Sequence, residues 1–402
     1  MTAPRPLPAT LAPARIPALD ALRGIAVAGI VAMNVHAFAL PGPAYYNPLA
    51  YGGIGPADRW VWLVSFVFIE DKFRTLFAML FGAGCLILLE KGAPHPWRAH
   101  YARMAVLFVI GLAHATLLAS NDVLRAYALA GLAVPLLAGL SARALVTVAI
   151  GLLVVHVALG MVALGPALVD HLRHRIGSDA LILAERQFGR DPMVITMLLE
   201  QGREGLAART LRRAGAIPAQ LAVLIAALPL NLAAIALGMG LWKGGMLRGT
   251  WRLFWLQRLA AGCALVALPA LLGLAAWLEV TGFPAALVGP VALVLSAPFD
   301  MALAVSYAAL AMAFIQAERG LARRLAMAGR LSLSNYLLTS VILAALFAPW
   351  GLGLFGAVTR WQALALGAVP VAVMLAWSPW WAQRFGQGPL ERLWRAAARR
   401  LT

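Results

Sequence analysis

The sequence predicts an all-α, polytopic transmembrane helical bundle of about ten helices. Three observations carry that expectation. Of 402 residues, 62% are apolar and only 12% charged, the balance of a membrane protein rather than of a soluble domain. Apolar runs long enough to cross a hydrocarbon core about 30 Å thick recur along the whole chain. Arginines gather in short segments between alternate runs, the pattern left by the positive-inside rule when both chain ends are cytoplasmic. A net charge of +17 would suggest nucleic acid as the partner of a soluble protein. Here it reads as topology, with no nucleic-acid partner.

The expected spans are 16–40, 61–89, 103–119, 123–141, 144–166, 217–242, 258–279, 285–316, 332–349 and 364–382. The leader before the first run is rich in Pro and Ala and lacks an apolar core, so it reads as uncleaved. The first run holds Asp20, Arg23 and Asn34. An ionised group at membrane depth costs on the order of 3 kcal/mol, so partners are expected. Asp20 and Arg23 are i,i+3 neighbours able to pair. Arg23 and Asn34 lie about three turns apart and share a stripe with Val27 and Ile30 that faces the protein interior. His36 points almost oppositely and reads as interfacial.

The second run is too long for one crossing. Trp60 to Ile69 reads as lying along the outer interface, with the crossing starting near Lys72. Basic residues set the orientation: Arg5 and Arg15; Lys91, Arg98 and Arg103; Arg143; Lys243, Arg248 and Arg252; Arg319, Arg323, Arg324 and Arg330; and the tail from Arg384 to Arg400. The opposite short loops, 41–56 and 348–359, are nearly uncharged. The exception is 170–213, with eight arginines and six carboxylates. Long loops escape the rule, and balanced charge suits water-exposed helices. Such helices either cover an outer pocket or merely connect. The chain thus divides into an N-terminal transmembrane half (1–166), an external polar segment (167–216) and a C-terminal transmembrane half (217–402).

Four clusters carry motifs. The first is Leu19-Asp20-Ala21-Leu22-Arg23-Gly24 with Asn34. The second is Lys72-Phe73-Arg74 with Leu80-Phe81-Gly82-Ala83-Gly84. The third is Gly111-Leu112-Ala113-His114, then Asn121-Asp122-Val123-Leu124 and Tyr127. The fourth is Gly329-Arg330-Leu331-Ser332-Leu333-Ser334-Asn335-Tyr336, then Arg384-Phe385, Gly388-Pro389-Leu390-Glu391 and Trp394-Arg395. Together these resemble the YeiB-like bacterial membrane family, whose C-terminal part is domain-of-unknown-function 418. That family resembles, distantly, heparan-α-glucosaminide N-acetyltransferase and the polysaccharide O-acetyltransferases. In the O-acetyltransferases the residue eleven after the arginine is a catalytic histidine; here it is Asn34, as in the heparan enzyme. Asn121 stands where glycine is usual.

The resemblance implies a transmembrane acyltransferase taking acyl-coenzyme A as donor from the cytoplasm of a bacterium, across the inner membrane. Arg23, Arg330 and Arg384 would meet the donor's phosphates, as bidentate guanidinium donors do, or simply lipid headgroups. His114 would act as general base, since imidazole exchanges a proton near neutral pH, with Asp122 orienting it. Asn34 or Lys72 would stabilise the oxyanion. Arg74, Tyr127, Asn335 and Tyr336 would line the site for a small-molecule or glycan acceptor. Each reading has a plainer alternative: interfacial snorkelling for Lys72 and Arg74, and a backbone-bonded packing role for His114. The same polar groups would also serve a transporter or exporter of a lipid or small molecule, by lining its pathway. Expected partners are membrane lipid and, as a homodimer, a second copy of the chain. No metal is expected: His171 and His174 at i,i+3 lack further ligands, and Cys85 and Cys263 sit apart in apolar runs. No phosphate loop, Ser-His-Asp order or His-Glu-x-x-His motif is present.

The arginine distribution makes a direct prediction. Reporter fusions after Arg395 and within 177–189 are expected to read opposite compartments, the second external. A cytoplasmic signal from the 177–189 fusion would overturn the topology.

Overall fold

Pro17 starts the first helix where proline is best tolerated, at a position whose N–H has no intrahelical partner. From there a computed structural model describes residues 16–53, 55–90, 95–315 and 319–402. Arg5, Arg15 and Lys91, and the leader, lie outside the described residues.

In chain order the helices are α1 (Pro17–Ala39), α2 (Gly42–Tyr46), α3 (Pro56–Val64), α4 (Lys72–Glu90), α5 (Pro96–Leu117), α6 (Val123–Gly131), α7 (Val134–Leu137) and α8 (Ala142–Leu172). There follow α9 (Asp179–Phe188), α10 (Pro192–Gly202), α11 (Leu206–Gly215), α12 (Ile217–Ala226), α13 (Leu228–Lys243) and α14 (Leu253–Thr281). The chain ends with α15 (Ala285–Pro290), α16 (Ala297–Phe314), α17 (Gly320–Arg330), α18 (Ser332–Phe347), α19 (Arg360–Leu366), α20 (Ala368–Phe385) and α21 (Pro389–Arg399). Two π-helical turns, Ser65–Ile69 and Val291–Leu295, interrupt the path between α3 and α4 and between α15 and α16. Among the described residues every regular element is helical, so the chain is an all-α bundle of membrane-spanning helices.

Among the described residues seven segments are long and apolar enough to cross a membrane. Two bent pairs, α12–α13 with a 51° bend and α17–α18 with a 94° bend, bring the number to nine. The expected span 123–141 is the one that falls short. It folds as the short helices α6 and α7, separated by a turn at Leu132 and Ala133. Pro135 opens α7, and its missing N–H ends the continuous helical ladder there. The break between α12 and α13 is handled differently. Pro229 interrupts the ladder, and the Asn231 side chain adds a 2.8 Å bond to the Ala227 carbonyl, which also accepts from the Asn231 amide.

α1 sits at the centre. Two thirds of its apolar window, 67%, is buried inside the protein, against 17% for α8 and 22% for α14. The outer helices are apolar all round and show Val154, Val162, Leu265 and Val280 to the surroundings, as lipid-facing helices do. Central helices approach closely through glycine. A Cβ at Gly82 would overlap the Ile235 carbonyl, and one at Gly238 would overlap the Met79 carbonyl, so α4 and α13 meet backbone to backbone at two reciprocal points. Two histidines are placed more deeply than expected. His36 is 3% exposed, with Nε2 3.3 Å from the Arg360 carbonyl, rather than interfacial. His100, which falls outside the expected span 103–119, is buried on α5 and bonded to the Gly131 carbonyl at 2.8 Å.

The glycine crossing is testable. Gly238→Ala forces α4 and α13 apart and should destabilise by roughly 2 kcal/mol, typical of overpacking. Gly262→Ala on α14, where a Cβ meets nothing within 4 Å, should leave the thermal midpoint unchanged. Equal midpoints for the two variants would contradict the close crossing.

Candidate functional site

α5 ends in a tight turn. The Leu118 and Ala119 amides both donate to the His114 carbonyl, at 2.8 and 3.0 Å. Four residues later Asp122 begins α6 as its N-cap, one oxygen accepting from the Arg125 amide at 2.8 Å. That geometry turns the Asp122 carboxylate back towards α5. Its other oxygen meets His114 Nδ1 at 2.8 Å and accepts from the Tyr336 hydroxyl of α18 at 3.3 Å. The rings of His114 and Tyr336 lie 5.1 Å apart. The His114 and Asp122 side chains are essentially without exposure. Because a carboxylate only accepts, Nδ1 carries a proton, and it is Nε2 that holds the lone pair whenever the ring is neutral. Nε2 is buried and has no hydrogen-bond partner. A buried basic nitrogen left open, on an imidazole fixed from behind by a carboxylate, is the arrangement that general-base chemistry requires.

Arg125 lies beneath the pair and is 1% exposed. Its Nε is 3.6 Å from Asp122, and its terminal nitrogens donate to Gln220 of α12 and to the Ser120 carbonyl, each at 2.8 Å. Asn121 donates to Asn34 Oδ1 at 3.3 Å, bringing α1 to the same turn. Above this turn opens a cavity of about 410 Å³. Its floor is 118–121, and its wall is Gln220 with Arg209, Arg212 and Arg213 of α11. The segment 170–213 therefore covers a pocket rather than merely connecting. His114 and Asn34 do not line the cavity as their depth alone suggests; Asn121, which bonds Asn34, does.

The other expected site residues are placed elsewhere. Lys72 is not beside His114. It pairs with Asp300 of α16 at 2.6 Å, with side chains 1% and 4% exposed, and it donates to the Phe66 carbonyl of the first π-helical turn. The chain reaches Lys72 through Asp71, whose φ of 59° is left-handed and sharply redirects the helix. Arg74 pairs with Asp71 at 2.7 Å and reaches Asn231 at 3.4 Å. Tyr127 donates to the Arg74 carbonyl at 2.6 Å, 1% exposed, so it ties α6 to α4 instead of facing a substrate. Asn335 is likewise taken up: it donates to the Ala328 carbonyl and to Ser378, and accepts from Trp377. Tyr336 belongs to the His114 pair as a positioning group. Arg23 pairs with Asp20 at 3.0 Å, Arg330 donates to the Gly386 carbonyl at 3.0 Å, and Arg384 is exposed beside the Phe385 ring. These three lie at the end of the bundle opposite the cavity. Among the described residues no group of three His, Cys, Asp or Glu is placed to hold a metal.

Sequence reading missed Asp300, Arg125 and Arg360. Asp300 is signalled by a lone carboxylate in an apolar run, which demands a cationic partner. Arg360 is 1% exposed and donates to the Ala44 carbonyl at the end of α2, a cation at a helix C-terminus. Its position in a nearly uncharged segment gives no such signal.

The Lys72–Asp300 pair predicts an asymmetry. Removing one partner leaves an uncompensated buried charge, worth roughly 3–5 kcal/mol. Lys72→Met alone should therefore lower folded yield from membranes more than Lys72→Met with Asp300→Leu. Yields falling as far or further in the double variant would argue against a buried pair.

Comparison with known proteins identifies a family. Residues 241–400 match the family model described as protein of unknown function DUF418. The chain is 34% identical over 387 residues to the uncharacterized protein YeiB of Escherichia coli (strain K12), covering 94% of each. It is 26% identical over 417 residues to the uncharacterized protein YxaH of Bacillus subtilis (strain 168), covering 96% of this chain and 95% of that one. No solved structure gives a significant match. Similarity of that extent over nearly the whole length, on a bundle of membrane-crossing helices, means that the chain belongs to the YeiB family.

Proposed function

We propose that the protein is a transmembrane acyltransferase of the bacterial inner membrane. Both termini are cytoplasmic in this reading, and the cavity beneath α11 opens to the outer side. An acyl group passes from cytoplasmic acyl-coenzyme A to a hydroxyl or amine acceptor at the outer face. The single observation that carries the reading is His114: fixed by Asp122 through Nδ1, with Nε2 buried and unbonded.

The chemistry is balanced without a metal or redox partner. Nε2 takes the proton of the acceptor O–H or N–H as that atom attacks the thioester carbon. The new C–O or C–N bond forms, the C–S bond breaks, and the thiolate leaves with its electron pair. The imidazolium then returns the proton to the thiolate. Asp122 supports the charge that His114 acquires, and Tyr336 and Arg125 hold Asp122 in place. Asn34 supplies an amide N–H to the oxyanion. Lys72 is removed from that role by its bond to Asp300. Nε2 is covered, so the acceptor reaches it only when that cover shifts. Arg23, Arg330 and Arg384 stand at the cytoplasmic end as the donor's phosphate contacts. α5 rises about 16 Å from Arg103 to His114, the stretch that the donor's pantetheine arm has to cross.

A transport reading draws on a different observation. Glu70 Oε1 is buried without a partner, next in sequence to Asp71 and the Lys72–Asp300 pair. An unsatisfied carboxyl in an apolar bundle is the kind of group that relays protons along a pathway.

The discriminating experiment is acyl transfer from radiolabelled acetyl-coenzyme A to membrane lipid or glycan in proteoliposomes. His114→Ala should lower the transfer rate about 100-fold or more in protein that still folds, and His114→Gln, which can keep a bond to Asp122, should lose activity equally with a smaller loss of stability. Full activity in either variant would remove His114 as the base. No transfer by the wild type, together with solute uptake driven by a pH gradient and lost in Asp300→Asn, would favour transport instead.

A further inference from the structure

The cavity beneath α11 has chemistry of its own, separate from the buried pair. Its lining contains Arg209, Arg212 and Arg213 and no carboxylate. Arg212 is already neutralised by Glu204, at 2.8 Å. Arg209 spends one donor on the Gly202 carbonyl at 2.6 Å. Arg213 has a terminal nitrogen, Nη1, that is buried and without a partner. Burial, with Arg209 and Arg212 beside it, lowers the Arg213 guanidinium to about 10. Both effects disfavour its charge, and an anion at that point would relieve them. The lining also has an apolar part, Leu40, Leu118, Phe347 and Phe355. A volume of about 410 Å³ suits a headgroup and the root of a chain rather than a solvated ion alone.

The cavity is also wired to the histidine. The Arg213 carbonyl accepts from Gln220 at 3.1 Å, Gln220 accepts from Arg125 at 2.8 Å, and the Arg125 amide donates to Asp122, which holds His114. We infer that this cavity binds an amphiphile with an anionic headgroup, its acid group on Arg213 and Arg209 and its apolar part along Leu118 and Phe347. Resting on the acyltransferase reading, this makes the acceptor an acidic lipid-like molecule whose headgroup anchors it above His114.

The test measures binding rather than chemistry. Purified protein in detergent is titrated with dioleoyl phosphatidate, with dioleoylglycerol and with inorganic phosphate, and complexes are counted by native mass spectrometry. Wild type should bind phosphatidate about tenfold tighter than dioleoylglycerol, the order expected of a charge-assisted hydrogen bond at a buried guanidinium. Arg213→Gln should erase that preference, and Arg213→Lys should restore part of it. Should Arg213→Gln fail to fold, Arg209→Gln carries the same expectation. Phosphatidate preference unchanged in the folded glutamine variant would overturn the site. Phosphate alone binding as tightly as phosphatidate would overturn the amphiphile, leaving a site for a free anion. His114→Ala should bind phosphatidate as wild type does. Failure of the transfer chemistry therefore leaves this result standing, and failure of this result leaves the transfer assay standing.

Discussion

The Asp122 carboxylate is the interaction on which the rest of this arrangement depends. Through its two oxygens it receives the imidazole of α5, the first-turn amide of α6 and the phenol of α18. In hydrocarbon no water is present to complete an unsatisfied polar group. A buried carboxylate therefore dictates which helices must be neighbours and at what depth. The same constraint joins α4 to α16 through Lys72 and Asp300, and α2 to α19 through Arg360. Apolar side chains supply most of the contact area, but they tolerate sliding and rotation. The polar bonds fix the register.

Saturation separates the groups that hold the bundle from those open to a ligand. Asn335 uses its amide and its carbonyl oxygen on three neighbours, and Tyr127 spends its hydroxyl on a backbone carbonyl. Such groups have nothing left to offer a substrate. His114 keeps a nitrogen in reserve, as does Arg213 at the cavity wall. The two lie at either end of a chain of hydrogen bonds that passes through Gln220 and Arg125.

Local relationships were readable in the sequence. The Asp20–Arg23 pair is an i,i+3 contact, and the start of α4 at Lys72 follows from the mixed charge that precedes it. The pairing of His114 with Asp122, though not its role, could be read from a helix end followed by a capping aspartate. What escaped was set by tertiary packing. Asp300, Gln220 and Tyr336 are far along the chain from the residues they serve, and no periodicity links them. The short helices α6 and α7 escaped because an apolar stretch reads as one span until Pro135 divides it. The arginine-containing C-terminal block reads as a phosphate-binding rim in the sequence. In the fold much of it goes into internal bonds, with Glu391 accepting from the Leu333 and Ser334 amides at 2.8 and 3.1 Å.

That last contact has a consequence for how the protein is made. Glu391 stands in for the N-cap of α18, a helix that emerges from the ribosome some fifty residues earlier. Until the final helix is synthesised, the first amides of α18 have no carboxylate to receive them. α18 also carries Tyr336, one of the three groups on Asp122. The phenol that completes the ring of contacts on Asp122 is therefore held by a helix whose own start is capped from nearly sixty residues downstream.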